Sequence, residues 1–364
     1  KVFCAVNLSK RRPTAVLRAL TFHMFKNNDR LSVRQTVNLI HAMNSLNYSD
    51  QALLDKLATD VCSQIEQVNQ PNVIGSLLLC MGKLRWRNKM LLDAIGDWVL
   101  KNLDSCRSSD IANLIVTMAT VSYMPSNVNE SFKQLMSTIS RASIPDVAAW
   151  TNIVWSLVIL GKADNDHITS VLSPDVSNAI EINDPANIGV HLKLLNINAY
   201  AKVLLDSYKG PTLTVSAPDD LLITQSRKDR SLQSHVHQVL HNFLPPPKYI
   251  RESIKTTLGF VVDAEIAVDK LNRPIPVIQF PSNFEGENLS VLPDGSKRVA
   301  IMVWNYKDYT IGSQALGGFN PITVKILQKL GYSVVQIPYY DINEKEKIVK
   351  SVIYFQKRIK EING

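Results

Sequence analysis

The chain has 364 residues, 45% of them apolar, and its 40 Lys and Arg against 32 Asp and Glu give a formal net charge of +8. No stretch of about 18 uninterrupted apolar residues occurs, which argues against a membrane span. The cysteines Cys4, Cys62, Cys80 and Cys106 are far apart and form no CxxC pair, which favours buried free thiols in a reducing compartment over metal ligands or disulfides. Because the chain opens at Lys1 without a methionine, we expect a fragment of a longer precursor whose targeting peptide lies outside it.

A short phrase returns four times along the first half of the chain. The copies are NLIHAMNSLNY from Asn38, SLLLCMGKLRW from Ser76, NLIVTMATVSY from Asn113 and NIVWSLVILGK from Asn152. Successive copies therefore start 38, 37 and 39 residues apart. Inside the first copy, Leu39, Met43 and Leu46 recur at helical intervals, so the same helix face is repeated. A weaker fifth copy starts at Val190.

Each copy is predicted to pair with a second helix that follows it. These second helices are Gln51 to Val61, Lys89 to Lys101, Asn129 to Ser140 and Asp166 to Ala179. A unit of two helices cannot bury its apolar face alone, so a period of about 38 residues predicts a stacked array. The expected fold is an α-helical repeat solenoid over residues 1–208, with an extended concave surface suited to long, flexible partners.

The excess positive charge belongs to the array and to the end of the chain. Residues 1–160 carry 17 Lys and Arg against 11 Asp and Glu, and residues 299–364 carry 9 against 5. A polyanion is therefore the expected partner. The segment KLRWRNK contributes Lys83, Arg85, Arg87 and Lys89. Its Trp86 has two interpretations, stacking on a base or packing inward in the place that Tyr48 and Tyr123 take in other copies, and the alignment favours packing.

A column of short polar residues opens the repeated helices. It consists of Asn38, Ser76, Asn113 and Asn152, with Arg34 and Asn72 one turn earlier on a similar face. Such side chains would contact the base edges of a strand that crosses the repeats. They would equally bond the backbone of the neighbouring repeat, in a ladder that needs no ligand. Both interpretations stay open.

The sequence changes character after the array. Residues 209–231 hold Gly210, Pro211 and Pro218 without a helical stripe, which indicates a linker. The elements predicted after it are a helix Leu232–Phe243, strands Leu258–Asp269, Ile275–Phe280 and Lys297–Trp304, a helix Pro321–Leu330, a strand Tyr332–Pro338 and a helix Asn343–Ile362. This order predicts a compact α/β domain. On the first helix, His237 and His241 have a metal-like spacing, but surface histidines are favoured over zinc.

The last third of the chain resembles known sequences. RVAIMVWNYKDYTIGSQALGGFNPITVKILQKLGYSVVQIPYYDI from Arg298 is similar to the RAP domain, and GFVVDAEIAVDKLNRPIPV from Gly259 resembles the segment that precedes it in the Fas-activated serine/threonine kinase family. That family has helical repeats ahead of the RAP domain. The repeat period is also similar to that of octotricopeptide repeat proteins, which bind organellar RNA.

The resemblance implies a RAP domain over residues 299–364 with a restriction-endonuclease-like core, and a helix and hairpin over 232–298 packed with it. It also implies work on single-stranded RNA in the mitochondrial matrix or its RNA granules, on transcript stability, processing or translation, alongside other RNA-processing proteins. We expect a monomer that binds without catalysis or cofactor. Lys307, Lys325 and Lys329 are candidate phosphate contacts, and one of Tyr339 and Tyr340 is a candidate for base stacking. Kinase chemistry finds no support, since the chain has no glycine-rich phosphate loop, HRD-type loop or DFG.

Two alternatives remain. A metal-dependent endoribonuclease would use Asp263 and Glu265, with Asp308 as a substitute acid and Mg²⁺ or Mn²⁺ as cofactor. The family's acidic second strand is replaced here by Met302 and Trp304, which weakens this hypothesis. The other alternative is a protein-interaction scaffold in RNA granules or ribosome assembly, because helical arrays also bind peptides.

Overall fold

The computed structural model describes residues 2–8, 12–27, 30–177, 187–213, 227–280, 292–343 and 346–363. The chain divides by packing into two compact units. The first is Lys1–Lys162 with Tyr309–Gly318, and the second is Ala163–Asp308 with Phe319–Gly364. The repeat spacing predicts an array that extends to residue 208, whereas the boundary between the two compact units lies at Lys162. The boundary predicted from the repeats and the boundary found from packing therefore differ.

The first unit consists of helices in two layers. Its helices are α1 (Val2–Leu8), α2 (Thr14–Asn27), α3 (Val33–Ser45), α4 (Gln51–Cys62), α5 (Pro71–Leu84), α6 (Lys89–Lys101), α7 (Ser108–Thr120), α8 (Ser126–Glu130), α9 (Phe132–Met136) and α10 (Val147–Ile159). Helices α3, α5, α7 and α10 pack side by side in chain order and form the first layer. In the second layer α4 packs on α6, and α6 packs on α8.

Local capping sets where these helices begin. The side chains of Asp50, Asn88 and Asp146 accept backbone N–H groups at the starts of α4, α6 and α10, at 2.9, 3.0 and 2.6 Å. Each cap satisfies a donor that a helix start leaves unpaired. Between α5 and α7 the backbones approach closely, because a Cβ atom at Gly75 would lie 2.6 Å from Oδ1 of Asp110. The two layers bury an apolar core that includes Met43, Leu77, Leu78, Met81, Leu114 and Leu157.

Two of the predicted second helices are wrong in extent. Residues 129–140 were expected to form one helix, but the structure has the short helices α8 and α9 followed by turns. Ser140 and Ser143 bond each other's backbone N–H groups at 3.2 and 2.9 Å, and such local bonds compete with helix formation. The helix expected at 166–179 is α11 (Asn165–Leu172), and the short α12 (Pro174–Ser177) follows it. The predicted end of that helix lies outside the described residues.

The second unit is an α/β fold built on one sheet. Its further helices are α13 (Ile188–Val203), α14 (Arg227–His241), α15 (Asn320–Lys329) and α16 (Ile348–Lys360), and its strands are β1 (Arg251–Lys255), β2 (Val261–Val268), β3 (Pro274–Ile275), β4 (Lys297–Trp304) and β5 (Tyr332–Pro338). The strand order is β1-β2-β4-β5, with β3 also on β2. Pairing is antiparallel except between β4 and β5, which run parallel from Arg298↔Tyr332 to Trp304↔Pro338. Helices α14 and α16 contribute to the core that buries Ile266, Ile301 and Ile337.

Several C-terminal predictions hold, and others need correction. The predicted bounds of β4 and β5 agree with the structure to the residue, and β2 lies inside its predicted range. The strand expected at 275–280 is reduced to β3, because Pro276 cannot donate a ladder hydrogen bond and the backbone turns at Val277–Gln279. Helix α14 begins inside the predicted linker, α16 is shorter than the predicted final helix, and β1 was not predicted. Among the helices in the described ranges, none is both long and apolar enough for a bilayer crossing.

Candidate nucleic-acid interface

The first-layer helices present one continuous side to solvent. The first-layer face, as we call it, comprises Arg34, Asn38, His41 and Ser45 on α3, Asn72, Ser76, Leu79 and Lys83 on α5, Ser109, Asn113, Val116 and Thr120 on α7, and Ala148, Asn152, Trp155 and Ile159 on α10. On each helix these residues follow the spacing i, i+4, i+7, i+11, which keeps them on one side. On α3 and α5 all of them are exposed, whereas most of those on α7 and α10 are half-buried. The open part of the face therefore lies over α3 and α5.

The first-layer face carries no carboxylate. Within α3, α5, α7 and α10 the sole acidic residue is Asp110, which is 5% exposed. The Arg107 side chain holds it through two hydrogen bonds, from Nε at 3.0 Å and from Nη2 at 2.9 Å. The second layer carries exposed acids instead, such as Asp55 on α4 and Asp97 on α6. A phosphate that approached the first-layer face would therefore meet Arg34 and Lys83 without a competing carboxylate on these helices.

The predicted polar column has two different environments. Asn38 and Ser76 are exposed, whereas Asn113 and Asn152 are half-buried. Asn113 donates from Nδ2 to the carbonyl of Gly75 at 3.4 Å, which is a contact of the ladder type. One turn later Thr117 makes a shorter bond of this kind, from Oγ1 to the carbonyl of Leu78 at 2.8 Å. In the third repeat the polar column thus bonds the backbone of the neighbouring repeat, as the ladder interpretation predicts. In the first two repeats the column, Asn38 and Ser76, faces solvent.

A cavity of about 350 Å³ opens beside the start of this face, between the N-terminal ends of α3 and α5. Arg34, Gln67, Asn69 and Gln70 line it together with apolar side chains such as Val73. Amide groups offer both donors and acceptors to a base edge. The three amides lie in the uncharged segment QVNQ just before α5, where no cationic cluster or helical stripe marks them in the sequence. This volume is within the range of ligand pockets, roughly 300 to 1,000 Å³.

The cationic turn after α5 mainly contacts other parts of the protein. Trp86 is fully buried, so its ring is not available to a base. Ile311, from the segment Tyr309–Gly318 of the same unit, donates its N–H to the Arg85 carbonyl and accepts the N–H of Arg87, both at 2.8 Å. A Cβ at Gly312 would lie 2.7 Å from the Arg87 carbonyl oxygen, and the φ of Gly312 is +100°, a backbone conformation that favours glycine. The segment therefore docks tightly on this turn.

The four predicted cations of that turn do not act as one cluster. Lys83 is exposed on the first-layer face, and Arg85 is half-buried with a left-handed backbone at φ 56°. The Arg87 guanidinium and the Lys89 ammonium lie over the Tyr123 ring, 5.4 and 5.8 Å from its centroid. Such cation–π contacts favour these positions for Arg87 and Lys89.

Tyr123 is itself held in place. Its hydroxyl donates to Asp93 at 2.8 Å. Burial and this hydrogen bond raise the pKa of Tyr123 to about 12, so the ring stays neutral at physiological pH.

The same docked segment limits the first-layer face at one end. The Gly318 N–H donates to the carbonyl of Thr120 at 3.0 Å, at the C-terminal end of α7. A Cβ at Gly318 would lie 3.8 Å from the Trp155 ring on α10. This part of the face contacts the chain itself, which agrees with the lower exposure of the α7 and α10 side chains.

In the second unit the predicted lysines are exposed and lie on two different elements. Lys325 and Lys329 lie one turn apart on α15, and Lys307 lies in the turn after β4. Lys329 forms an exposed ion pair with Asp206 at 3.6 Å. An exposed pair of this kind contributes little to stability, so it leaves Lys329 able to exchange partners.

Of the acids of the nuclease hypothesis, Glu265 is enclosed by protein donors, whereas Asp263 and Asp308 lie close enough for the Asp308 charge to contribute to the raised pKa of Asp263. Glu265 is fully buried and is bound by Arg298 at 2.6 Å, by Arg251 at 3.1 Å and by the Tyr332 hydroxyl at 3.0 Å. Its oxygens are therefore satisfied by protein donors and do not fit a divalent-metal cage. Asp308 accepts the Asn305 N–H at 2.7 Å. Within the described part of the chain no group of three His, Cys, Asp or Glu side chains is arranged to hold a metal.

Asp263 lies where β2 and β4 diverge. Its Oδ2 accepts the Val303 N–H at 2.7 Å, and its Oδ1 accepts an amide N–H of Gln233 at 2.8 Å. Burial raises the pKa of this carboxyl to about 7 despite the two donors. Next to it, His237 bonds the Asp263 carbonyl at 2.9 Å, and His241 bonds Glu252 at 2.6 Å. These histidines are partnered within the protein and are not simply surface residues.

Most of this chain is similar in sequence to known proteins. Residues 111–181 match the FAST kinase-like protein, subdomain 1, and residues 191–276 match its subdomain 2. Over 345 residues the chain is 23% identical to FAST kinase domain-containing protein 4 of Rattus norvegicus, covering 94% of this chain and 55% of that protein. The chain belongs to the FAST kinase-like family. This confirms the family that the C-terminal resemblance predicts.

Other family members match in the same way. The Homo sapiens protein 4 is 23% identical over 346 residues, covering 94% of this chain and 54% of its own length. FAST kinase domain-containing protein 3, mitochondrial, of Rattus norvegicus is 21% identical over 326 residues, covering 86% and 47%. The chain thus spans about half the length of the curated relatives that it matches. Helices α3 and α5, which carry the open part of the first-layer face, precede both matched subdomains.

Proposed function

We propose that this protein binds single-stranded RNA in mitochondria and acts after transcription, through the first-layer face. The observation that carries the proposal is the absence of carboxylates from that face, across the four first-layer helices that the structure describes. Arg34 and Lys83 supply positive charge there, and Asn38, Asn72 and Ser76 supply exposed polar groups between them. A flexible strand laid over α3 and α5 would meet cations for its phosphates and hydrogen-bonding groups for its bases.

The cavity beside Arg34 supports the same function. Its amide side chains, Gln67, Asn69 and Gln70, are placed where a base from a strand on the face would turn inward. Apolar surface also contributes, because Leu79 is 45% exposed in the middle of the α5 stripe. Unstacked bases of single-stranded RNA are read by such combinations of amides and apolar surface, whereas bases within an RNA duplex are not accessible to them.

The cellular role follows from the relatives. Proteins 3 and 1 of the family are named mitochondrial, and we extend that location to this chain, in the matrix or its RNA granules. The mechanism we propose is occupancy, in which bound RNA is shielded from exonucleases or presented to other RNA-processing proteins without bond cleavage. Residues 299–364, which contain most of β4 together with α15, β5 and α16, are proposed as a RAP domain that clamps RNA or docks a partner.

The alternatives have less support. An endoribonuclease would need Glu265 as a metal ligand, and two arginines already neutralise that side chain. A purely protein-binding scaffold remains the other alternative, because helical arrays also hold peptides. It gives no reason for acids to be absent from the first-layer face.

The function is tested by the form of nucleic acid that the protein prefers. Fluorescence anisotropy with labelled single-stranded RNA and with a matched RNA duplex, at several salt concentrations, measures both affinity and its salt dependence. We expect tighter binding of the single strand, with log K falling with log salt at a slope of about −0.7 per phosphate contact. Equal binding of duplex and single strand, or no dependence on salt, would contradict the proposal.

A further inference from the structure

Two neighbouring strands of the second unit end at the same height in the sheet, and each is followed by a short turn. Strands β4 and β5 run parallel, and their last pair is Trp304 and Pro338. Each strand is followed by a single turn of 3₁₀ helix, Tyr306–Asp308 after β4 and Tyr339–Asp341 after β5. The pairing therefore places these two turns side by side. In α/β sheets the carboxyl ends of parallel strands are where ligands bind.

Three tyrosines meet at this place. The Tyr306 and Tyr339 ring centroids are 5.7 Å apart at an interplanar angle of 84°, and those of Tyr339 and Tyr340 are 5.3 Å apart at 77°. Both contacts are edge-to-face, which is a favoured arrangement of aromatic pairs. Tyr339 is half-buried and packs against the sheet core. Tyr306 and Tyr340 are 53% and 51% exposed. The central ring thus fixes two outer rings that remain accessible to solvent.

We propose that Tyr306 and Tyr340 form a stacking platform for an unstacked nucleobase of single-stranded RNA, with Lys307 contacting its phosphate. This inference rests on the proposed function, but it uses a site in the second unit and none of the residues of the first-layer face. Stacking on tyrosine suits any base, because every base has a π face. A rigid aromatic surface also loses little entropy when a base settles on it.

The charges around the platform are compatible with a base and its phosphate. The side chain of Lys307, next to Tyr306, is exposed. Of the nearby acids, Asp308 accepts the Asn305 N–H at 2.7 Å, and Asp341 accepts the Tyr354 hydroxyl at 2.7 Å. Both carboxylates are thus bonded to protein donors. The uncharged ring of a base would cover the two tyrosines, and its phosphate would lie on the Lys307 side.

Photocrosslinking tests the platform directly. The full chain is irradiated with an oligouridine that carries 5-iodouridine, and the crosslinked peptides are mapped by mass spectrometry. We expect crosslinks at Tyr306 or Tyr340. The Tyr306→Ala/Tyr340→Ala variant should lose them and bind the oligonucleotide roughly 5-fold to 100-fold more weakly. The Tyr306→Phe/Tyr340→Phe variant keeps both rings and should keep both the crosslinks and the affinity.

The outcomes separate this inference from the proposed function. If the alanine variant binds RNA as the wild type does and no crosslink maps to either tyrosine, the platform is overturned while the first-layer face stands. If crosslinks map to the tyrosines but charge reversal on the first-layer face leaves affinity unchanged, the platform stands and the face does not. Labelling by free 5-iodouridine monophosphate but not by the oligonucleotide would overturn RNA as the occupant. Loss of a bound protein from the alanine variant, with RNA affinity retained, would also overturn it.

Discussion

The Arg107 side chain donates two hydrogen bonds to the Asp110 carboxylate, from Nε at 3.0 Å and from Nη2 at 2.9 Å, and the Arg107 backbone N–H donates a third at 3.1 Å, at the start of α7. Asp110 is the one acid within the first-layer helices, and this pairing holds it in a buried position against α5. The arrangement keeps negative charge away from the solvent side of these helices. It also makes the α5–α7 contact sensitive to any added volume.

Gly75→Ala tests that contact. An added Cβ would lie 2.6 Å from Oδ1 of Asp110, whose carboxylate is held by Arg107, so the side chain cannot withdraw freely. We expect the free energy of unfolding to fall by about 1 to 3 kcal/mol, measured by urea denaturation. Gly189→Ala is the matched control, because nothing lies within 4 Å of its added Cβ. That variant should be as stable as the wild type or slightly more stable. A Gly75→Ala protein of wild-type stability would show that α5 and α7 pack less closely.

Asp263 predicts a pH dependence of stability. Burial raises its pKa to about 7 in the folded protein, whereas the unfolded value lies near 4, so between these values the folded state binds more protons. The free energy of unfolding should therefore fall as pH rises from about 4 to 7 and should be independent of this group above that range. Asp263→Asn removes this group's titration, and its amide can still accept the Val303 N–H if Gln233 turns its own amide.

The measurement is a series of denaturation curves between pH 4.5 and 8 for the wild type and for Asp263→Asn. Asp308, whose charge contributes to the raised pKa of Asp263, is present in both proteins, as are His237 and Glu252, so the difference between the two series reports Asp263. We expect the wild type to lose stability relative to the variant by a few kcal/mol over this range. Parallel series would mean that the carboxyl is ionised throughout.

The buried charge group around Glu265 should be costly to break. Arg298→Ala would leave Glu265 buried with Arg251 and Tyr332 as its remaining partners. Removing one partner of a buried pair costs about 3 to 5 kcal/mol, so we expect a fall of this order in the free energy of unfolding. Arg273→Ala removes an exposed pair with Asp269 and should change stability little. If both variants behave alike, the Glu265 group is more hydrated than its burial indicates.

The same group predicts that the protein does not cleave RNA. Single-stranded RNA incubated with the protein and Mg²⁺ or Mn²⁺ should remain intact, as judged on a denaturing gel. Asp263→Ala serves as the comparison, because cleavage by a contaminant would be the same in both preparations. Metal-dependent cleavage that the wild type has and Asp263→Ala lacks would establish the endoribonuclease alternative.

The sequence predicts those helices and strands in which apolar residues recur in a regular pattern over several residues. The first-layer helices follow from apolar spacing, and β4 and β5 follow from long apolar runs that end at polar residues or at Pro338. Strand β1, with the sequence RESIK, is short and polar because it pairs with β2 on one side only, so its pattern resembles a loop. The single helix that hydrophobic spacing predicts over residues 129–140 does not form, and the local bonds of Ser140 and Ser143 that compete with it leave no signal in that spacing.

The candidate sites depend on contacts that are distant in sequence. Tyr306 contacts Tyr339, the neighbour of Tyr340, because β4 and β5 pair in parallel, which no local pattern fixes. The Ile311 contact with Arg85 and Arg87 is likewise invisible in the cationic turn itself. In contrast, the absence of acids from the first-layer helices can be read directly from the sequence once the helices are known.

The first-layer face is tested most directly by reversing its charges. Arg34→Glu/Lys83→Glu alters two exposed cations of the face, and Lys101→Glu/Lys133→Glu makes the same change in net charge on α6 and α9, away from that face. Affinity for single-stranded RNA is measured for both by anisotropy over a range of salt. We predict that the first variant binds at least about tenfold more weakly and that its salt slope is smaller by about 1.4, with the second close to wild type. Equal losses in the two variants would mean that net charge alone, and not this face, binds the RNA.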